Sequence, residues 1–194
     1  VNPVKIRKYV SDQSCYDKII ELYEQKDANT PFFLFNVTMQ NHSSYSEEYD
    51  NFHPDITVEG TSSKILPNYL SLIKLSDQAL ENLIEYFSQA DEDTIIVFFG
   101  DHQPNLPEDF YNTLLESQRG DLSDAELRQK KMVTPFFIWA NYDIGSQTGV
   151  EISANYLSAF ALDALGCSTS GFDELCLATR ESVPRINNYG YYLA

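Results

Sequence analysis

The chain has 194 residues, 43% hydrophobic and 13% aromatic, which is enough apolar side chain to pack one domain's core and excludes a solvated acidic tail. Its 13 Lys and Arg stand against 29 Asp and Glu for a formal charge of −16, which disfavours nucleic-acid binding and docking to anionic lipid through a basic patch. An anionic substrate would need a local cation, most simply a metal ion.

Ser11 reads as the cap of a helix over 12–25 that turns Cys15, Ile19, Leu22 and Tyr23 to one side. Residues 32–38 are a nearly continuous run of Phe, Leu and Val, as are 94–99 and 135–140, and such runs predict strands buried on both faces. Between the first two, Leu72, Leu75, Ala79, Leu83 and Phe87 recur at spacings of three and four, which predicts an amphipathic helix over 68–88. A further helix is expected over 107–118, punctuated by Gly120, and Ser123 with Glu126 forms a capping box that opens a short charged helix. Ser153 is read as the cap of a helix that faces Tyr156, Leu157, Phe160, Ala161 and Leu165 inward and ends at Gly166. Residues 182–193, with Asn187 and Asn188 central, predict a hairpin or edge-strand pair. The polar stretches 41–64 and 103–131 have the length of binding loops or lids.

Alternation of helix and apolar strand predicts an α/β fold over 1–194: a mostly parallel central sheet with helices on both faces and a small C-terminal antiparallel hairpin. No repeat or linker divides the chain, and no apolar run reaches the length of a membrane-spanning helix. The opening Val-Asn-Pro suggests a piece of something longer. Cys15, Cys167 and Cys176 lack metal-type spacing; Cys167 and Cys176 could bridge, but buried free thiols are the preferred reading.

Ligands in α/β folds bind beyond the carboxyl ends of strands, and two of the three histidines follow apolar runs. His42 comes after the first, and Gly100-Asp101-His102 after the second. If both strands lie in one parallel sheet, these residues share a rim. A carboxylate and a neutral imidazole suit zinc, manganese, magnesium-like or ferrous ions, and the Gly breaks the pleat so that adjacent side chains can reach one ion. The plainer alternative is that Asp101 caps a turn and His102 packs on the sheet. Two ligands also fall short of the three that a catalytic metal takes from protein. His53 reads as an exposed loop residue, and Ser43 and Ser44 beside His42 lack the elbow motif of a serine hydrolase.

The segment Phe32-Phe-Leu-Phe-Asn-Val-Thr-Met-Gln-Asn-His42, followed by Thr94-Ile-Ile-Val-Phe-Phe-Gly-Asp-His-Gln-Pro104, resembles the bacterial lipoteichoic acid synthase and phosphoglycerol transferase family of the sulfatase and alkaline phosphatase superfamily. The helix with Tyr69 and Asp77, the run Thr134-Pro-Phe-Phe-Ile-Trp-Ala140 and the helix ending at Leu165-Gly166 follow in the family's order, so the resemblance covers essentially the whole chain. It implies an alkaline-phosphatase-like fold, of which this chain is the C-terminal part of the catalytic domain. It also implies one divalent ion, usually manganese, with magnesium, zinc or calcium as alternatives. Asp101 and His102 match two of its ligands, and His42 matches the histidine that contacts the substrate phosphate. The implied reaction moves glycerol phosphate from phosphatidylglycerol through a covalent phospho-Thr. The nucleophile and first acidic ligand match nothing here and are expected upstream, so the chain alone is expected to be inactive. The resemblance further implies membrane attachment through an upstream segment, at the extracytoplasmic face of a bacterial membrane. Truncation suggests self-association through bared strand edges. Two other readings compete: a sulfatase-like ester hydrolase, and a non-catalytic surface domain that keeps the fold.

Overall fold

A computed structural model describes residues 2–59, 64–107, 110, 111, 114, 123–187 and 190–193. The chain divides into two units, Val1–Gln89 with Gly100–Pro135, and Ala90–Phe99 with Phe136–Ala194.

The first unit opens with a tight hairpin, β1 (Lys5–Ile6) and β2 (Tyr9–Val10), paired antiparallel with Ile6 opposite Tyr9. Its two-residue loop puts Arg7 at φ 56°, a left-handed backbone that a β-carbon disfavours by roughly 1 kcal/mol. Helix α1 (Asp12–Glu24) follows, and the Ser11 hydroxyl accepts from the Ser14 N–H as expected of a cap. Its buried positions are Asp12 and Tyr16, whereas Leu22 is exposed, so the inward stripe is rotated from the one the apolar spacing suggested. Tyr16 fills the centre of that face, and a buried Asp12 is tolerated because polar partners meet it.

Helix α2 (Ile65–Ser88) buries Leu72, Ala79, Leu83 and Phe87 as expected, with Leu75 left exposed. It also buries Asn68 and Ser71, which serve loop backbone: Asn68 Nδ2 donates to Tyr45 O at 2.7 Å, and Ser71 Oγ accepts from the Asp55 and Ile56 N–H groups at 3.1 Å. Tyr23 of α1 meets Phe87 edge-on at 5.1 Å. Tyr45, Phe52, Leu72 and Leu106 form the unit's core cluster, so the polar stretch after residue 41 is anchored by its aromatic side chains.

Residues 32–38 depart from expectation. They join no ladder among the described residues, and Phe33, Phe35 and Val37 are 91%, 68% and 64% exposed. Apolar composition favoured a strand buried on both faces, but composition does not supply the neighbouring strand that a ladder needs. The helix expected over 107–118 falls mostly outside the described residues; 110, 111 and 114 are helical. The capping box at Ser123 and Glu126 is present and opens α3 (Asp124–Lys130).

In the second unit β3 (Ile95–Phe99) pairs with β4 (Phe136–Ala140), Ile95 opposite Ala140 and Phe99 opposite Phe136. The pairing is antiparallel, as are all three ladders among the described residues, so the parallel sheet inferred from alternation is not found among them. The reason is local: the chain leaves β3 and returns into β4 at the same end, whereas a parallel pair requires return to the opposite end. Nor is β3 buried on both faces, since Ile95, Val97 and Phe99 are exposed while Ile96 and Phe98 are half-buried.

Ser153 stands at the N-cap of a 3-10 turn (Ala154–Tyr156) that leads into α4 (Leu157–Ala164), but its hydroxyl makes no cap hydrogen bond: it donates to Ile186 O at 3.0 Å and accepts from the Ile186 N–H at 2.5 Å. Gly166, at φ 64°, lies just beyond the helix end. A helix the sequence reading missed, α5 (Gly171–Ser182), is opened by a capping box of Ser170 and Asp173. The buried residues Tyr156, Ala159 and Cys176 form this unit's cluster. Strands β5 (Arg185–Asn187) and β6 (Gly190–Tyr192) form the expected antiparallel hairpin. All three cysteines are free thiols, but only Cys176 is buried; Cys167 is exposed and Cys15 half-buried. Among the described residues no helix is long and apolar enough to cross a membrane.

Candidate functional site

Gly100 sets the turn that follows β3. Its N–H donates to Pro135 O at 3.0 Å, and its carbonyl accepts from the Thr134 hydroxyl at 2.9 Å. A β-carbon at position 100 would stand 3.1 Å from Thr134 Cβ, so glycine permits this close approach. Directly after it, Asp101 Oδ1 accepts the His102 N–H at 2.8 Å. His102 Nδ1 lies 2.8 Å from Gln103 O, which can only accept, so Nδ1 carries the proton and Nε2 of the neutral ring carries a lone pair. Gln103 in turn donates from Nε2 to Val133 O.

His102 Nε2 lies 3.4 Å from Asp101 Oδ2, with the two side chains 71% and 80% exposed. Two ligands bonded to one ion at about 2.1 Å with a tetrahedral angle stand about 3.4 Å apart. The donor set, one hard oxygen and one imidazole nitrogen, suits manganese, zinc or magnesium-like ions. The pair therefore fits a metal as half of a site. Among the described residues no group of three or more His, Cys, Asp or Glu could complete it.

His42 sits exposed on a loop that is tied down from several elements. The buried Gln40 side chain accepts the Asp12 N–H at 3.0 Å and donates to Leu72 O at 3.3 Å and Ser76 Oγ at 3.0 Å. Asn41 Nδ2 donates to Ser76 Oγ at 2.8 Å, and Ser76 donates to Asp12 Oδ2 at 2.5 Å. Burial pushes the Asp12 carboxyl above the usual carboxylate range, opposed by hydrogen bonds from Ser76, Thr38 and the Gln40 backbone. From the β1–β2 hairpin, Arg7 donates to the carbonyls of Gln40, His42 and Ser44.

His42 Nδ1 lies 2.8 Å from Ser43 O and 3.1 Å from Tyr9 Oη. The carbonyl again assigns the proton to Nδ1 and leaves Nε2 free of these contacts. The two loops lie within electrostatic reach of each other. Burial pushes the Tyr45 phenol up to about 12, and the Asp101 charge is among the smaller contributions that add to it. Tyr45 is three residues from His42 and donates to Asn41 O at 2.7 Å. His53 is exposed, as expected. Sequence reasoning gave no role to Arg7, Tyr9, Asp12 or Gln40; only the position of Asp12 just after a helix cap could have drawn attention to it.

The Sulfatase family model matches residues 1–167, and the chain belongs to that family. A Rhizobium meliloti (strain 1021) protein assigned to cyclic beta-1,2-glucan modification is 29% identical over 168 residues, 81% of this chain and 25% of that protein. The capsular polysaccharide biosynthesis protein RkpI of the same organism is 29% identical over 98 residues, 50% of this chain and 16% of that one. The solved Streptococcus pyogenes phosphoglycerol transferase GacH, in complex with sn-glycerol-1-phosphate, matches with a TM-score of 0.71 at 20% identity, over 95% of this chain and 45% of that one. The chain therefore has the alkaline-phosphatase-like fold expected of it, while spanning less than half the length of each of these relatives. The family is one of enzymes, and its members are typically metal-dependent.

Proposed function

We propose that the chain is the C-terminal portion, 1–194, of the catalytic domain of a metal-dependent phosphoglycerol transferase that takes glycerol phosphate from a phosphatidylglycerol-type phosphodiester. The observation that carries the reading is the convergence of Asp101 Oδ2 and His102 Nε2 at 3.4 Å on a turn set by Gly100. In this reading Asp101 and His102 hold one divalent ion, manganese by preference, which when bound supplies positive charge against the phosphoryl group. That charge answers the problem a −16 protein has with an anionic substrate. With Nδ1–H donating to Ser43 O, His42 presents Nε2 to the substrate: in the neutral ring it accepts from a glycerol hydroxyl, and only in the doubly protonated ring does it donate to a phosphate oxygen. The nucleophile and the remaining metal ligand are contributed upstream, and the whole protein works at the extracytoplasmic face of a bacterial membrane.

The likeness to GacH supports transfer of phosphoglycerol, and the glucan-modification and capsular-polysaccharide relatives support a saccharide hydroxyl as acceptor. A second reading, hydrolysis of sulfuric or phosphoric esters, is favoured by the family match itself. It uses the same half-site and differs in letting water take the group. The test is an assay of the N-terminally extended protein with phosphatidylglycerol labelled in its headgroup, with and without a beta-glucan. Label on the glucan supports the transferase; free glycerol phosphate alone supports the hydrolase. Release that persists undiminished in chelator overturns both.

A further inference from the structure

We infer that Arg7 is the positioning residue of the His42 loop: its guanidinium sets the backbone of residues 40–44 so that His42 commits Nδ1 to the protein and keeps Nε2 for a ligand. The inference rests on the reading of His42 as a contact to the substrate's glycerol phosphate group.

Arg7 is only 4% exposed, and burial pulls its pKa down, opposed by Tyr49, Tyr45, Tyr9 and Glu47 nearby. Taking a guanidinium out of water is costly unless its protons are used. Here one terminal nitrogen donates to Gln40 O at 2.6 Å and His42 O at 2.7 Å, and the other to Ser44 O at 2.6 Å. These carbonyls belong to alternate residues, so a single planar fork aligns one edge of the loop. The intervening carbonyls face other partners: Asn41 O accepts from Tyr45 Oη at 2.7 Å, and Ser43 O accepts from Tyr9 Oη at 3.2 Å and from His42 Nδ1. Arg7 lies 5.5 Å from the Tyr9 ring and 5.6 Å from the Tyr45 ring, which brackets it between the two phenols that serve the opposite edge.

The hairpin is itself fixed. Asn51 Nδ2 donates to Lys5 O and Arg7 O at 3.0 Å each, holding the left-handed turn. A backbone outlier kept in place by its surroundings marks a position where the fold maintains a demanding geometry. Lysine could not substitute, because an ammonium on a flexible stem lacks the planar fork that spans three carbonyls.

The test is long-range 1H–15N NMR of His42 in the 194-residue chain at about pH 8.5. Wild type is expected to show one dominant tautomer, with Nδ1 protonated. In Arg7→Lys the signals are expected to move toward a mixture of tautomers while the Leu72 and Leu83 methyl resonances stay in place. Tyr9→Phe, which removes only the phenolic oxygen, is expected to give a smaller shift in the same direction. The inference is overturned if Arg7→Lys keeps the wild-type tautomer in a folded protein, or, should that variant fail to fold, if Tyr9→Phe leaves His42 unchanged. Titration of wild type with sn-glycerol 1-phosphate separates the two claims. A locked tautomer whose Nε2 signal ignores the ligand supports Arg7's role and removes the phosphate-contact reading. In the extended protein Arg7→Lys is expected to cost about 100-fold in kcat/KM, as a displaced contact group does, with manganese affinity unchanged.

Discussion

Asp101 and His102 stand in the open on a turn that Gly100 and Thr134 pin from below, whereas His42 is carried by a loop tied to the first hairpin, to α1 and to α2. Under the proposed function the difference follows from what each group would have to do. A metal ion gathers its ligands through strong bonds, so two side chains already 3.4 Å apart need little further support. An imidazole that offers one hydrogen bond gains only about 1 kcal/mol net, and that gain survives only if the ring is already oriented. The buttressing therefore sits around His42.

The comparison can be broken at several points. The largest effect is expected from Asp101→Ala in the extended protein: turnover falls by roughly 1,000-fold while the far-ultraviolet circular dichroism is unchanged, since the ligand is lost and the side chain is 80% exposed. Leu72→Ala should do the opposite. Leu72 has no exposed surface, its carbonyl receives Gln40, and the substitution should cost about 2–5 kcal/mol of stability in urea. Gly100→Ala tests the turn under the metal pair. Its β-carbon would meet Thr134 Cβ at 3.1 Å, and a loss of about 1 kcal/mol in urea, relieved by Thr134→Ser only in part, is expected.

The smallest effect concerns pH. Burial raises the Asp12 pKa above that of the unfolded chain, so between the ordinary carboxylate value and the raised one the folded state holds more protons. Stability contributed by this group is therefore present at low pH and declines as pH rises through that window. Asp12→Asn should remove this component, seen as a wild-type-minus-variant difference in urea midpoint that falls as pH rises through the window. Exposed carboxyls with lowered pKa, such as Asp55 beside Lys74 and Glu126 at its capping box, run the other way but are common to both proteins and cancel.

How much of this could be read beforehand is shown by two Phe-rich runs. Residues 94–99 became β3, while 32–38, of similar composition, joined no ladder among the described residues. Composition reports that a segment can lie in a sheet; the partner, and whether it runs parallel, depends on chain far away. The helices were legible where one signal was strong, α1 from its Ser11 cap and α2 from its apolar spacing. α5 was missed although Ser170 and Asp173 carry a capping-box pattern. Asp101 and His102 could be named as candidates beforehand because ligands gather at strand ends. Arg7 was not: its three contacts span 33, 35 and 37 residues, and no local pattern marks an arginine that will be buried against carbonyls.

The most direct test of the metal half-site is a calorimetric titration of manganese into this chain, the N-terminally extended protein, and the extended protein with His102→Ala. The account predicts tight, saturable binding only in the extended wild type, lost by at least 100-fold in the variant. Equal binding by the extended wild type and the variant, or no binding by either, would contradict it and leave Asp101 and His102 as residues of a surface turn.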